Sequence, residues 1–371
     1  MNTSDIIDPE PQRTNANGLR SADVRASGTG FSDVRASGAR STDSSEPDPD
    51  PGSTAASAPE APGPRPSKHA RLRLVLGWVG IAITVIISSV WAYWGAIENF
   101  HEGWYSESLW ENLFMLVFQY WLFTWVFIAL ALVALKWRRI GLGLHVALAA
   151  FAGWFFSGAS FDVLGLMIVL PILGLGLLYF FGQARPKKWA FRLVVGIPLL
   201  IILIASVPQG IRVAQRVDDG DFGARTVVGN GVTLVWAPRG PGWPDTGTTW
   251  DEAREICRYL SEDGTTIMEE EQNIWRLPTV DEAVRSMMLH GENAGGTWDP
   301  ETGRTTYEKT PDKESPLWDI HSKVIYYWTA ESSGTDGTRA YIIVYHGGIF
   351  EKQKTDGQDY LTFRAVKDEP E

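Results

Sequence analysis

The sequence has one cysteine, Cys257, among its 371 residues. A single thiol cannot form an intramolecular disulfide, a CxxC redox pair or a cysteine-ligated zinc site. Cys257 is therefore expected to be a small buried residue on a helix, and a reactive thiol is the alternative.

Large apolar residues are scarce in residues 1–67, which are rich in Ser, Ala, Gly, Pro and Asp. Such a segment cannot bury enough surface to offset the entropy of ordering, so a disordered cytoplasmic tail is predicted. Asp-Val-Arg-Ala-Ser-Gly occurs twice, from Asp23 and from Asp33, before a Pro-rich run. The repeat indicates either a duplicated linker or a docking or phosphorylation motif. A signal peptide is not expected, because the first apolar run begins near residue 72.

The net charge of −11 is unevenly distributed. Acidic residues outnumber basic ones in 1–67 and in 209–371, whereas basic residues prevail in 68–208. An acidic terminal region without a basic stripe makes nucleic acid an unexpected partner.

Five apolar stretches dominate residues 68–208, which are predicted to form a transmembrane region in the lipid bilayer. The predicted helices cover about 72–97, 113–135, 140–156, 163–181 and 191–207. Each is close to the length that a helix needs to cross the hydrocarbon core. Their interiors have few polar groups, notably Gln119 and His145. Helix packing or an interfacial position is the expected role of these two, with conduction or proton relay as the alternative.

The loop charges predict the orientation of the helices. Basic residues precede the first helix and occupy the second and fourth loops, whereas the first loop has only acidic charges and the third has only Asp162. By the positive-inside rule the N-terminus is cytoplasmic and, with five crossings, the C-terminal domain is extracytoplasmic. Losing the short third helix would reverse the side of this domain.

A linker, 209–225, is predicted to lead into a folded domain over 226–368. Val227–Trp236 alternates like strands. Thr249 and Glu252 have the spacing of a capping box, and so do Thr279 and Glu282. The first box opens a helix whose apolar stripe ends at Leu260.

The rest of the domain combines an aperiodic stretch with strands. Residues 290–323 have little periodicity, and loops of that length are commonly functional. Strands are predicted for 324–329, 340–345 and 360–366, with a Gly-rich turn between the first two.

Five motifs occur in a fixed order along this domain. They are Thr249-Trp250-Asp251-Glu252-Ala253, Trp275-Arg276-Leu277-Pro278-Thr279 followed by Asp281-Glu282, Tyr327-Trp328-Thr329-Ala330-Glu331, His346-Gly347-Gly348 and Phe363-Arg364-Ala365-Val366. This order resembles the Lcl C-terminal domain family, a domain of unknown function on bacterial surface and membrane proteins. The resemblance covers about 226–368.

The resemblance implies an α+β, C-type-lectin-like domain, similar also to formylglycine-generating enzymes, behind the α-helical transmembrane bundle. Its structural residues would be Trp250, Trp275, Arg276, Leu277, Pro278, Thr279, Glu282, Trp328 and Arg364. Many relatives carry a cysteine where this sequence has Ala365, so Cys257 would have no partner. Formylglycine-generating enzymes use a cysteine pair, and that activity is therefore not carried over.

The function expected from the sequence is a membrane-anchored binding or sensing module for a glycan, peptide or protein. Trp298, Asp299, Trp318 and Asp319 are the predicted ligand-binding residues, because aromatic faces stack on ligands while carboxylates accept hydrogen bonds. No calcium triplet of the lectin type occurs, so no metal is predicted. No cofactor and no catalytic residue are predicted either. The oligomeric state is not predicted.

Two other functions stay open at this point. One is a hydrolase-like enzyme with His290, His321 and His346 available, although no nucleophile stands beside a base in the sequence. The other is a transport-associated membrane protein, which would need a polar path through the helices.

Overall fold

A computed structural model describes residues 67–157 and 163–369. The predicted disorder and repeat of the tail, and Asp162, lie outside these residues. The first helix, α1 (Lys68–Glu98), begins after Ser67, whose hydroxyl accepts a hydrogen bond from the Ala70 amide at 3.3 Å. It continues into a π-helical turn, Asn99–Gly103.

Each of the five apolar stretches contains helical structure. After α1 come α2 (Leu109–Met115), a π-helical turn (Leu116–Tyr120), α3 (Leu122–Lys136), α4 (Arg138–Ser157), α5 (Val163–Phe181) and α6 (Lys187–Ala214). The second stretch is bent by 57° between Tyr120 and Leu122. The tight approach of Gly95 to the bend explains its position, since a Cβ on Gly95 would lie 2.4 Å from the Tyr120 carbonyl oxygen.

Three helices are long and apolar enough to cross a membrane: Lys68–Gly103, Arg138–Phe156 and Lys187–Ala214. The bent pair Leu109–Tyr120 and Leu122–Lys136 makes a fourth if it is one span. Gly165–Phe181 is apolar but shorter. The number of crossings, and with it the side of the C-terminal domain, stays a prediction.

The two polar residues of the predicted helix interiors occupy different settings. His145 is fully buried, and its Nδ1 lies 2.7 Å from the Gly141 carbonyl oxygen of its own helix. Gln119 is exposed at the bend. The hydrogen bond within the same helix satisfies Nδ1 of His145, whereas its buried Nε2 has no partner among the described residues, so the role of His145 stays a prediction.

The C-terminal domain begins with a hairpin. Strands β1 (Arg225–Gly229) and β2 (Val232–Trp236) pair through Asn230 and Gly231, which both have positive φ as a type I′ turn requires. The last strand, β11 (Val366–Asp368), pairs antiparallel with β2 and closes the domain.

A second sheet contains four strands in the order β10-β7-β8-β9. They are β7 (Tyr326–Ser333), β8 (Arg339–Val344), β9 (Ile349–Gln353) and β10 (Leu361–Thr362). The β10–β7 pair is parallel and the other pairs are antiparallel.

Both capping boxes form. Helix α7 (Trp250–Tyr259) begins after Thr249 and helix α8 (Val280–Arg285) after Thr279; in each, the glutamate of the box also binds the cap backbone. In α7 the apolar stripe ending at Leu260 is buried, including Cys257, which is 2% exposed. The two helices and the sheets enclose two neighbouring apolar clusters, so the chain combines a helical apolar region with an α/β domain.

Several boundaries differ from the sequence prediction. Helix α6 runs seven residues beyond 207, into the predicted linker. The predicted strand 360–366 is split into β10 and the start of β11, because Phe363, Arg364 and Ala365 pass between two sheets. Residues 290–323 are not a single loop, since they contain the hairpin β5 (Thr297–Asp299) and β6 (Arg304–Thr306) after a two-residue pair β3 (Met288–Leu289) and β4 (Glu292–Asn293).

Candidate functional site

Two of the four predicted ligand-binding residues are buried. Trp318 is 3% exposed and stacks on Tyr327, with ring centroids 3.9 Å apart and an interplanar angle of 1°. Asp319 is 6% exposed, binds the Arg239 guanidinium, and accepts a hydrogen bond from the His321 amide at 2.8 Å. Both residues therefore contribute to the domain core and its ion pairs.

The other two lie on the β5–β6 hairpin. Trp298 is half-buried and packs edge-on against Tyr341, with centroids 6.0 Å apart. Asp299 is exposed and closes the hairpin turn by accepting from the Glu301 amide at 2.9 Å and the Thr302 hydroxyl at 2.7 Å. The four residues thus do not form one exposed face, and ligand binding by Trp298 and Asp299 stays a prediction.

The motif residues hold the domain together. Trp250 donates its indole N–H to the Thr329 carbonyl at 2.8 Å, and Trp328 donates to the Thr248 carbonyl at 2.8 Å. Arg364 is fully buried and lies 3.7 Å above the Trp243 ring. Its Nε and Nη1 donate to the backbone carbonyls of Ala237 and Leu317, whereas its buried Nη2 has no partner among the described residues. An arginine is rarely buried without such hydrogen bonds. Burial lowers the pKa of Arg364 to about 9.

A cleft of about 530 Å³ opens beside α7 and α8. Several motif residues form its walls and floor. The lining consists of Arg254, Cys257, Arg258, Asn273, Trp275, Arg276, Leu277, Thr279, Glu282 and Ala330. The cleft combines apolar side chains with a few polar and charged groups, which is the usual composition of a small-molecule site.

Arg276 is fixed on one wall of the cleft. Its two terminal nitrogens donate to the two carboxylate oxygens of Glu282 at 2.7 Å each, and one of them also donates to Asp368 at 2.8 Å. Although burial opposes the effect, the hydrogen bonds from Arg276 and the Thr279 cap lower the pKa of Glu282. Two carboxylates thus neutralise Arg276.

Arg254 is the cation of the cleft that lacks such partners. Its guanidinium lies 4.6 Å from the Trp250 ring, and within residues 67–157 and 163–369 it has no ion pair or hydrogen bond. By contrast, Arg258 is paired with Glu255 and Glu271. Arg254 is therefore available to a ligand anion, since a guanidinium binds carboxylate or phosphate through two parallel hydrogen bonds.

Cys257 lines the cleft but is not poised for chemistry. Burial raises the pKa of its thiol to about 12, so the reactive thiolate is scarce at neutral pH. The expectation of a buried helical cysteine agrees with this environment.

A second polar region joins α6 to the C-terminal domain. Arg216, just beyond α6, donates to Asp312 with Nη2 2.9 Å from Oδ1, and the two side chains are 3% and 4% exposed. Arg212 adds a charge contact of 3.3 Å to the other carboxylate oxygen. The Val217 amide donates to Glu314 at 3.0 Å, so the chain leaving the helix is held by backbone contacts as well.

The end of α1 meets the same region. The ring of His101 lies between two tyrosine hydroxyls, with Nδ1 3.2 Å from Tyr345 and Nε2 3.3 Å from Tyr326. Arg212 reaches the Tyr345 hydroxyl at 3.4 Å. Tyr345, directly after β8, therefore contacts both α6 and the π-helical turn that follows α1, and Tyr326 in β7 contacts the same turn.

Lys313, next to Asp312, is buried below this junction, and its amine donates to the Ser322 carbonyl. Burial, reinforced by the positive charge of Arg216, lowers the pKa of Lys313 to about 7. The junction thus contains a lysine that changes charge near neutral pH.

The three histidines considered for catalysis contact different groups. His290 lies near Glu314, His321 lies 3.6 Å from Asp218, and His346 packs against the Tyr345 ring. Among the described residues no group of three or more His, Cys, Asp or Glu side chains could hold a metal ion.

Sequence reasoning did not identify the junction. Arg212 and Arg216 are spaced by one helical turn directly after an apolar run, and Asp312 lies between Pro311 and Pro316. The arginine spacing is typical of the basic flank of a membrane helix, and the proline-flanked segment is typical of a loop. The contact across about a hundred residues has no local signature.

Comparison with known proteins adds no relative. No known protein family matches the chain, and neither the curated proteins nor the solved structures include a match.

Proposed function

We propose that the chain is a multi-pass membrane protein whose extracytoplasmic C-terminal domain binds a ligand and reports its presence to the membrane helices. The ligand is a glycan, peptide or protein segment that presents a carboxylate, phosphate or sulfate group. Its anion binds Arg254 in the cleft beside α7 and α8. The domain is not an enzyme in this proposal.

The buried ion pair between Arg216 and Asp312 is the observation that carries the sensing role. A domain that served only as a tethered module would need no buried charges at its attachment. Breaking such a pair is costly, so the helix end and segment 311–319 move together. That segment also contains Trp318, whose ring stacks on Tyr327 in β7. A rearrangement of the domain therefore has a rigid route to α6.

The charges that line the cleft support an acidic ligand. Arg276 is already neutralised, whereas Arg254 has a guanidinium supported by the Trp250 ring and no carboxylate partner in the described part of the chain. An apolar floor beside one free cation favours an acidic ligand with an apolar or sugar face.

Membership of the Lcl C-terminal domain family, with its C-type-lectin-like fold, is part of the proposal. It is supported by the roles of the motif residues, since Thr249 and Thr279 cap helices while Trp328 and Arg364 are buried. The extracytoplasmic side is supported by the alternation of basic and acidic loops.

Binding to the full chain in lipid nanodiscs tests the proposal, with trigalacturonate, neutral galactotriose and a hexaglutamate peptide as probes. We expect an acidic probe to bind and the neutral sugar to bind at least roughly tenfold more weakly, the size of one lost charge-assisted contact. Arg254→Gln should remove the difference. Arg304→Gln is the matched control, because Arg304 is an exposed arginine on the β5–β6 hairpin, outside the cleft.

Hydrogen exchange measured on the same samples tests the sensing role. Bound probe should slow exchange of the amides of residues 212–217 in the wild-type chain. Equal binding of neutral and acidic probes, or an unchanged Arg254→Gln variant, would contradict the assignment of the cleft. Binding without any change at 212–217 would contradict the coupling alone.

A further inference from the structure

The end of the helical block opposite the junction is strongly basic. Between Glu111 and Asp218 the only acidic residue is Asp162, which lies outside the described residues. The basic side chains at this end come from three segments: Lys68, Arg71, Arg73, Lys136, Arg138, Arg139, Arg185, Lys187, Lys188 and Arg192. None of these basic side chains forms an ion pair with another described residue.

Close packing of a loop on α1 creates a cavity at this end. Residues 182–186 lie against α1, where the Gln183 amide donates to the Arg73 carbonyl at 2.7 Å. A Cβ on Gly77 would lie 2.3 Å from the Ala184 nitrogen, so only glycine permits this approach. The resulting cavity of about 110 Å³ is large enough to admit a small polar group.

Three cations line this cavity: Arg138, Arg185 and Lys187. In the amide orientation that satisfies both groups, the Gln183 oxygen accepts from the Arg138 guanidinium at 2.9 Å, which aims the guanidinium without neutralising it. These three cations line one cavity and have no ion-pair partner among the described residues, so they repel one another, and an anion between them would relieve the repulsion.

Two neighbouring clefts extend the cavity on either side. One, of about 330 Å³, shares Gln183 and Arg185 with it and reaches Arg73. The other, of about 560 Å³, shares Arg138 and Lys187 with it and reaches Arg139. The clefts also contain apolar walls, with Leu74 39%, Trp137 49% and Ile140 55% exposed. The groove therefore presents cations beside apolar side chains, as an amphiphile requires.

We propose that this groove binds the phosphate headgroup of an anionic phospholipid, held by Arg138 and Arg185. The acyl chains lie along the exposed apolar side chains at the groove's rim. Guanidinium groups bind phosphate through paired hydrogen bonds, and basic pockets between membrane helices are suited to such headgroups. The site is independent of the ligand cleft of the C-terminal domain.

Native mass spectrometry of the full chain, extracted from liposomes that contain phosphatidylglycerol and phosphatidylcholine, tests the site. We expect wild type to retain phosphatidylglycerol selectively. Arg138→Gln/Arg185→Gln should lower this selectivity by roughly 30-fold, since each cation at an anionic surface contributes about fivefold. Lys188→Gln/Arg192→Gln removes two exposed cations at the start of α6 that do not line the groove, and it should retain the selectivity.

Other outcomes overturn the assignment. Equal losses in the two double variants would mean diffuse attraction rather than a site. Displacement of the lipid by millimolar inorganic phosphate would mean a free-anion site. Arg138→Lys/Arg185→Lys separates binding from folding, because it keeps both charges and should retain most of the selectivity. Retained selectivity in Arg138→Gln/Arg185→Gln contradicts the proposal outright.

Discussion

Arg216 and Asp312, which are 96 residues apart, form an ion pair of 2.9 Å in which both side chains are nearly inaccessible to solvent. Burying two charges is expensive, and the attraction between them repays the cost only when the geometry is good. The pair therefore stabilises the fold less than the short distance between its charged groups suggests. Removing either partner alone is nevertheless costly, because the other charge stays buried.

Asp312→Asn should destabilise the full chain by about 3–5 kcal/mol, because it leaves the guanidinium of Arg216 buried without a counter-charge. Thermal unfolding in detergent micelles, followed by near-UV circular dichroism, measures the change. Asp299→Asn is the control, since Asp299 is exposed on a hairpin turn. Arg216→Met/Asp312→Leu should recover much of the loss, and a variant Asp312→Asn that melts like wild type would show that the pair is not formed.

Local patterns predicted the local structure well. The capping residues Thr249 and Thr279 begin the expected helices, because a hydroxyl three residues before a glutamate satisfies the first amides whatever surrounds them. The turn at Asn230-Gly231, which the alternation of residues 227–236 did not predict, forms for an equally local reason.

The candidate site was less accessible from sequence. Trp318 was expected on an exposed loop, but segment 311–319 is buried because its charges are paired over long distances, as with Asp312 and Arg216. Arg364 is buried for a similar reason, since distant carbonyls accept its hydrogen bonds. Such partners are set by the tertiary fold, so a single sequence carries no periodic signal for them.

Alanine substitutions of Trp318 and Trp298 compare a buried with a partly exposed member of the predicted ligand-binding residues. Trp318→Ala should cost about 3–5 kcal/mol, because it leaves a cavity against Tyr327 in the core. Trp298→Ala should cost clearly less, since Trp298 is only partly covered. Chemical denaturation of both variants in micelles checks the order. Equal costs would indicate that the stacked ring is not in the core.

The lowered pKa of Lys313 should make the free energy of unfolding depend on pH. Its pKa is lowered to about 7 in the folded chain, below the usual value near 10.5, so the folded state binds fewer protons than the unfolded state between these values. Stability attributable to this lysine should rise with pH from about 7 upward, by at most about 1.4 kcal/mol for each pH unit. Melting curves of wild type and Lys313→Met between pH 7 and 9.5 measure it as a difference. A constant difference across that range would contradict the lowered pKa.

The side of the membrane on which the C-terminal domain lies can be read with single introduced cysteines. The native thiol of Cys257 is 2% exposed and its pKa is raised to about 12, so a membrane-impermeant maleimide should not label the folded wild-type chain. In a Cys257→Ser background, Thr335→Cys, on the exposed β7–β8 turn, should label in intact cells. Lys188→Cys, at the basic end of the helices, should label only in inverted vesicles. The opposite pattern would place the C-terminal domain in the cytoplasm, which would exclude an outward-facing receptor.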